Sequence, residues 1–121
     1  MTHLLIADDS AVMRKIVIRT LRQAGFSGLE ITEAEDGQDL LDKAIAISPD
    51  LILSDWNMPN MTGIEALRAY RATGSTVPFG FVTSESSDSM RGEAEAAGAA
   101  FLVTKPFTAE AFEDALGAYV S

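Results

Sequence analysis

The sequence predicts an α/β fold, a parallel sheet with helices on both faces. Three observations lead there. Five short apolar runs alternate along the chain with five longer segments of helical periodicity, the order that builds parallel strands joined by crossover helices. The third run, Leu51-Ile52-Leu53, is apolar at every position, as expected of a strand covered on both sides. A chain of 121 residues, 47% hydrophobic and 22% charged, suits one domain with a sizeable core and argues against disorder.

Each element has its own signal. Leu4 to Ala7 is the first strand; it stops at Asp8-Asp9-Ser10, where Ser10 suits a helix N-cap. Met13, Ile16, Val17, Leu21 and Ala24 recur as one helical stripe that Gly25 ends, with Val12 and Ile18 off the stripe. Glu30 to Glu35 is the second strand, and Asp36-Gly37 turns the chain. Leu40, Leu41, Ala44 and Ile45 mark the second helix, closed by Pro49-Asp50. Leu51 to Leu53 ends in Ser54-Asp55. A loop from Asn57 to Gly63 follows, rich in Asn, Pro and Gly. Ile64, Leu67 and Tyr70 mark the third helix. Val77 to Val82 is the fourth strand, ending in Thr83-Ser84. Ser86, Ser87 or Asp88 would cap the fourth helix, whose weak stripe of Met90, Ala94 and Ala97 ends at Gly98. Phe101 to Val103 is the fifth strand, followed by Lys105-Pro106. Thr108 caps a last helix carrying Phe112, Ala115, Leu116 and Tyr119.

Composition narrows the function classes. Nine basic against eighteen acidic side chains leave a net charge of −9, which speaks against nucleic-acid binding because phosphate contacts need Lys and Arg. No apolar run approaches the roughly 18 residues of a membrane span, and Met1-Thr2-His3-Leu4 lacks the basic flank of a secretory signal. The absence of Cys excludes disulfides and thiolate metal sites and fits a cytoplasmic location.

The informative residues stand where the strands end. Ligands of parallel sheets bind at the carboxyl ends of the strands. Here strand one ends in Asp8 and Asp9, strand three in Asp55, strand four in Thr83 and strand five in Lys105. Singly, each has a bland reading: a turn or cap aspartate, a backbone-bonded hydroxyl, a solvated lysine. Together they would crowd three carboxylates onto one edge. Two unit charges ~4 Å apart repel by about 4 kcal/mol at an effective dielectric of 20, so a raised pKa, a lysine or a cation must offset them. Oxygen ligands without His or Cys suit Mg²⁺, or Mn²⁺ in its place. The sole histidine, His3, begins the first strand, far from the acids, and reads as a surface residue.

Asp8-Asp9-Ser10, the run Ser54-Asp55-Trp56-Asn57-Met58-Pro59-Asn60-Met61-Thr62-Gly63, Val82-Thr83-Ser84-Glu85 and Lys105-Pro106-Phe107 resemble the receiver domain of two-component response regulators. The stretch around Asp55 is especially similar to the family's chemotaxis regulators, and the resemblance runs from Leu4 to the last helix. It implies a flavodoxin-like (βα)5 fold with strand order 2-1-3-4-5. It implies that Asp55 accepts a phosphoryl group, that Asp9 and Asp55 ligate Mg²⁺ directly and Asp8 through water, and that the backbone carbonyl of Asn57 completes the set. Lys105 would pair with the carboxylates and then with the phosphoryl oxygens, and Thr83 would be the switch hydroxyl. Backbone N–H groups near Trp56 and Ser84 would add donors. Asn57 and Glu85 would flank the hydrolytic water and tune the lifetime of the aspartyl phosphate. The Lys105–Pro106 bond would be cis.

One position departs from the pattern. The switch aromatic expected three residues before the lysine is Leu102 here, with Phe101 one place earlier and so facing the other side of its strand. Residues 1–121 are expected to form a single receiver domain without an output domain. The expected donor is a histidine kinase or phosphotransfer protein, and the expected target, reached through the fourth helix, fifth strand and fifth helix, is a flagellar motor switch protein. The alternative is a phosphate sink or phosphorelay intermediate outside motility. Flavin binding is disfavoured by the three carboxylates and by the lack of a Gly/Ser/Thr-rich loop after strand one. An aspartate-based phosphatase is disfavoured because Asp8 and Asp9 are adjacent and form no Asp-x-Asp motif.

Overall fold

The computed structural model describes residues 2–85 and 87–120. Five strands and five helices alternate: β1 (His3–Ala7), α1 (Ala11–Gln23), β2 (Glu30–Ala34), α2 (Gly37–Ile47), β3 (Leu51–Ser54), α3 (Gly63–Ala72), β4 (Phe79–Thr83), α4 (Asp88–Ala96), β5 (Phe101–Thr104) and α5 (Ala109–Leu116). The sheet is parallel throughout, as the sequence predicts, and its order β2-β1-β3-β4-β5 is the one the resemblance implies.

Period-two alternation divides the core into two layers. Leu4 and Ile6 of β1, Leu51 and Leu53 of β3 and Val82 of β4 face Val17 and Leu21 of α1 and Phe112 and Leu116 of α5. Leu5, Ile52, Phe79 and Phe81 face the opposite way, onto Leu40 and Ala44 of α2, Ile64, Leu67 and Tyr70 of α3 and Ala94 of α4. The three inner strands are buried along nearly their whole length, which is why they read as unbroken apolar runs. β5 keeps the alternation: Leu102 packs against the α2–α3–α4 layer, and Phe101 against the α1–α5 layer. A side chain at Gly80 would occupy the Phe101 ring, and Tyr119 lies beside that ring with centroids 5.9 Å apart.

The helix starts are fixed by side-chain caps, each accepting from the backbone N–H three residues on: Ser10, Asp36, Thr62, Ser87 and Thr108. Ser87 is thus the α4 cap; Ser86 lies outside the described residues. Asp36 caps α2 directly, so Gly37 opens a helix instead of sitting in a free turn. Thr62 and Glu65 form a reciprocal capping box that holds α3 against the preceding loop.

Three expectations need correction. Ile16 and Ile45 are 40% and 54% exposed, because each lies on the rim of its helical stripe, beyond the arc its neighbours bury; Thr20 fills the α1 interface instead, its hydroxyl donating to the Ile16 carbonyl at 2.8 Å. β4 begins at Phe79 and not Val77, since Pro78 has no N–H to pair; its carbonyl instead accepts from Ile52 N at 3.0 Å. Tyr119 lies past the end of α5, which closes at Gly117.

Candidate functional site

The parallel sheet brings Asp8, Asp9, Asp55, Thr83 and Lys105 to one edge, and short contacts fix four of them. Asp55 is the residue after β3; its N–H donates to the Ala7 carbonyl at 2.9 Å. Its carboxylate accepts from Trp56 N at 2.7 Å on Oδ1 and from Lys105 Nζ at 3.4 Å on Oδ2. Asp8 is 4% exposed, with Oδ1 accepting from Ser10 N at 2.9 Å and Oδ2 from Lys105 Nζ at 3.2 Å. Lys105 is held in turn by its backbone N–H, which donates to the Thr83 carbonyl at 2.8 Å. Thr83 is fully buried, and its hydroxyl accepts from Glu85 N at 3.3 Å. Asp9, Asn57 and Glu85 stand exposed around this nucleus, and the Lys105–Pro106 bond is cis.

One oxygen from each of Asp8, Asp9 and Asp55 falls within 4.8 Å of the others. A single ammonium faces two of those carboxylates, so the site carries excess negative charge. Burial pushes the Asp55 carboxyl above its ordinary value and Asp8 reinforces that; Lys105 and the Trp56 N–H pull it back only in part. The donor set is all oxygen, partly buried and partly open to solvent. That fits a hard divalent cation that keeps several of its waters, and it does not fit a thiophilic metal.

Three contributors escape a motif-based reading. Ser54 is buried and donates from its hydroxyl to the Asp55 carbonyl at 2.7 Å. Gly63 opens α3 so close to that same carbonyl that a side chain would collide with it, and its N–H donates to the Trp56 carbonyl at 2.8 Å. The Gly at the head of α3 was the available signal. Arg14 sends Nη1 to the Asp8 carbonyl at 2.6 Å; nothing in a helix sequence marks such a contact. Trp56 packs inward, its ring 4.8 Å from that of Phe81. His3 lies at the opposite end of β1 with no part in the site.

Residues 4–117 match the response regulator receiver domain, and the chain belongs to that family. It is 40% identical to the chemotaxis protein CheY of Pseudomonas aeruginosa over 113 residues, which is 92% of this chain and 90% of that protein. It is 36% identical to the chemotaxis protein CheY-3 of Vibrio cholerae over 115 residues, 93% of this chain and 87% of the relative. The solved structure of Vibrio cholerae CheY4 superposes with a TM-score of 0.87 at 36% identity, covering 99% of both chains. No helix among the described residues is long and apolar enough to cross a membrane.

Proposed function

We propose that this protein is a cytoplasmic phosphoacceptor of chemotactic signalling, with Asp55 as the residue that takes the phosphoryl group. The observation that carries this is the cluster itself: three carboxylates within 4.8 Å of one another, one of them raised in pKa, with one lysine between two of them. Asp8, Asp9, Asp55 and the Asn57 carbonyl would hold Mg²⁺, or Mn²⁺ in its place. When bound, the ion would offset the charge that otherwise repels an incoming phosphoryl group.

An Asp55 oxygen then forms the O–P bond while the P–N bond of a donor phosphohistidine breaks, and the imidazole leaves with the electron pair. With acetyl phosphate the P–O bond breaks and acetate leaves. Lys105, already within reach of the Asp55 carboxylate, pairs with the new phosphoryl oxygens, and the Thr83 hydroxyl turns to donate to them. Asn57 and Glu85 border the path of the hydrolysing water. The chain thus catalyses only its own phosphorylation and dephosphorylation, with a histidine kinase or phosphotransfer protein as donor and no other substrate to turn over.

Output would pass through the α4–β5–α5 face to a partner such as a flagellar motor switch protein. Two cavities support that choice, one of about 410 Å³ beside α4 and one of about 430 Å³ beside α5. Leu102 lines both. A second reading, a phosphate sink or relay intermediate, is favoured by Leu102 being aliphatic where the switch aromatic is expected.

Incubation with acetyl phosphate and Mg²⁺ tests the proposal. Intact mass should rise by one phosphoryl group, peptide mapping should place it on Asp55, Asp55→Asn should abolish it, and the label should be short-lived once donor is removed. A label on another residue, or one lasting many hours with Mg²⁺ present, defeats the reading. Preferential capture of a motor switch protein by the beryllofluoride-treated form separates output regulator from sink.

A further inference from the structure

β2 is the strand that sends no residue to the acid cluster, yet side chains on or just after it grip both loops that carry the cluster. On the β1–α1 side, Glu33 Oε1 accepts from Arg14 Nε at 2.8 Å, and the same guanidinium donates from Nη1 to the Asp8 carbonyl at 2.6 Å. That carbonyl belongs to the peptide joining Asp8 to Asp9, so its orientation decides where the Asp9 carboxylate projects. On the β3–α3 side, Asp36 uses one oxygen to cap α2 and the other to accept from Asn60 Nδ2 at 2.7 Å. Asn60 sits in the left-handed region at φ 67°, three residues past Asn57. Gly37 lets the chain press against the Met61 carbonyl, where a side chain would collide.

We infer that Glu33–Arg14 and Asp36–Asn60 are the two arms of a brace by which β2 fixes the spacing of the cation-holding oxygens. Arg14, Glu33, Asp36 and Asn60 are then positioning residues for the divalent cation. This rests on the proposed role of Asp8, Asp9, Asp55 and Asn57. As stabilising contacts the two arms would be weak: the Glu33 side chain is 44% exposed, and exposed pairs contribute little. Their geometry serves the loops instead. Each arm anchors a loop at a backbone carbonyl or a left-handed turn, the features that set the direction of the ligand atoms. Outer hydrogen bonds of this kind typically govern metal affinity by about 10–100-fold.

Calorimetric Mg²⁺ titration of the whole chain, with Trp56 fluorescence as a second signal and thermal melts on the same samples, tests the brace. Glu33→Ala removes the acceptor of Arg14, whereas Glu33→Gln, with the same net charge as Glu33→Ala, keeps an oxygen there. Asn60→Gly removes the amide without penalising the left-handed backbone. Glu33→Ala and Asn60→Gly should each weaken Mg²⁺ binding about tenfold, Glu33→Gln should stay within about twofold of the parent, and melting should shift little. If a variant fails to fold, Arg14→Lys and Asp36→Ser replace it; Ser keeps a cap for α2 and drops the oxygen that Asn60 reaches. Parent-like Mg²⁺ affinity in folded variants of both arms overturns the brace while leaving the function intact. A parent chain that takes up no Mg²⁺ overturns both.

Discussion

The two edges of the sheet treat polar groups in opposite ways. At the amino edge, His3 N donates to Asp50 Oδ2 at 2.7 Å and the His3 ring nitrogen Nε2 meets the Thr32 hydroxyl at 2.7 Å; each group has a partner of its own. At the carboxyl edge, Asp8 and Asp55 share one ammonium while Asp9 stands free of it. The same backbone ladder supports both edges, so the difference lies wholly in the side chains. A fold selected only for stability would not gather three carboxylates around one lysine. The carboxyl edge retains an attraction for positive charge that a divalent cation can satisfy.

Removing the ammonium that Asp8 and Asp55 share should break this comparison most visibly. Lys105→Met leaves Asp8 and Asp55 facing each other across a partly buried gap. Without Mg²⁺ the variant should lose about 2 kcal/mol in urea unfolding, less than the loss expected when a fully buried pair is broken, because water still reaches Asp9 and the rim. Its Mg²⁺ affinity should rise, since the oxygens no longer compete with an ammonium, and saturating Mg²⁺ should recover much of the lost stability by linkage. Equal unfolding midpoints for parent and variant in chelator would mean that the carboxylates do not interact.

The opposite change, neutralising an acid, should stabilise. The folded Asp55 carboxyl holds its proton to higher pH than the unfolded one, whose ordinary value is 3.8. The folded state therefore loses stability as pH rises from 3.8 through the raised folded value, and the whole cost is present at neutral pH. Asp55→Asn removes that cost while keeping an oxygen for the Trp56 N–H. In chelator at neutral pH it should gain on the order of 1 kcal/mol, about 4 °C in Tm at this chain length. The gain should shrink as pH falls through the raised folded value toward 3.8 and vanish below it, where the parent carboxyl is protonated in both states. A neutral-pH Tm equal to or below that of the parent would contradict the account.

How much of this was legible beforehand follows from which interactions are local. The strand-and-helix order, the helix caps and the convergence of Asp8, Asp9, Asp55, Thr83 and Lys105 could be read because parallel topology turns strand ends into neighbours whatever fills the core. The opposite facing of Phe101 and Leu102 followed from strand periodicity alone. Strand order came from resemblance; local pattern does not choose which parallel strands pair. Arg14 and Asn60 were missed as contributors because their contacts depend on where a side chain lands against a carbonyl or carboxylate of another element; Ser54 was missed because its bond to the adjacent Asp55 carbonyl leaves no mark in the apolar pattern of its strand. The exposure of Ile16 and Ile45 was missed for a related reason: a stripe tells which side of a helix turns inward but not how wide an arc its neighbours cover.

The smallest effect belongs to the settled edge and sharpens the contrast. Thr32→Val preserves the β-branched shape that suits β2 and deletes only the hydroxyl beside His3. The ring nitrogen is partly exposed and can turn to water, so the loss should be no more than about 1 kcal/mol, and Mg²⁺ affinity should match the parent because β1 separates His3 from Asp8 along its full length. A change in stability without a change in metal affinity at this edge, set beside the coupled changes expected of Lys105→Met, would show that the carboxyl edge differs in kind and not merely in degree. If Thr32→Val altered cation binding as much as stability, the two edges would be communicating through the strand, and the charge imbalance at the carboxyl ends would no longer be a local property.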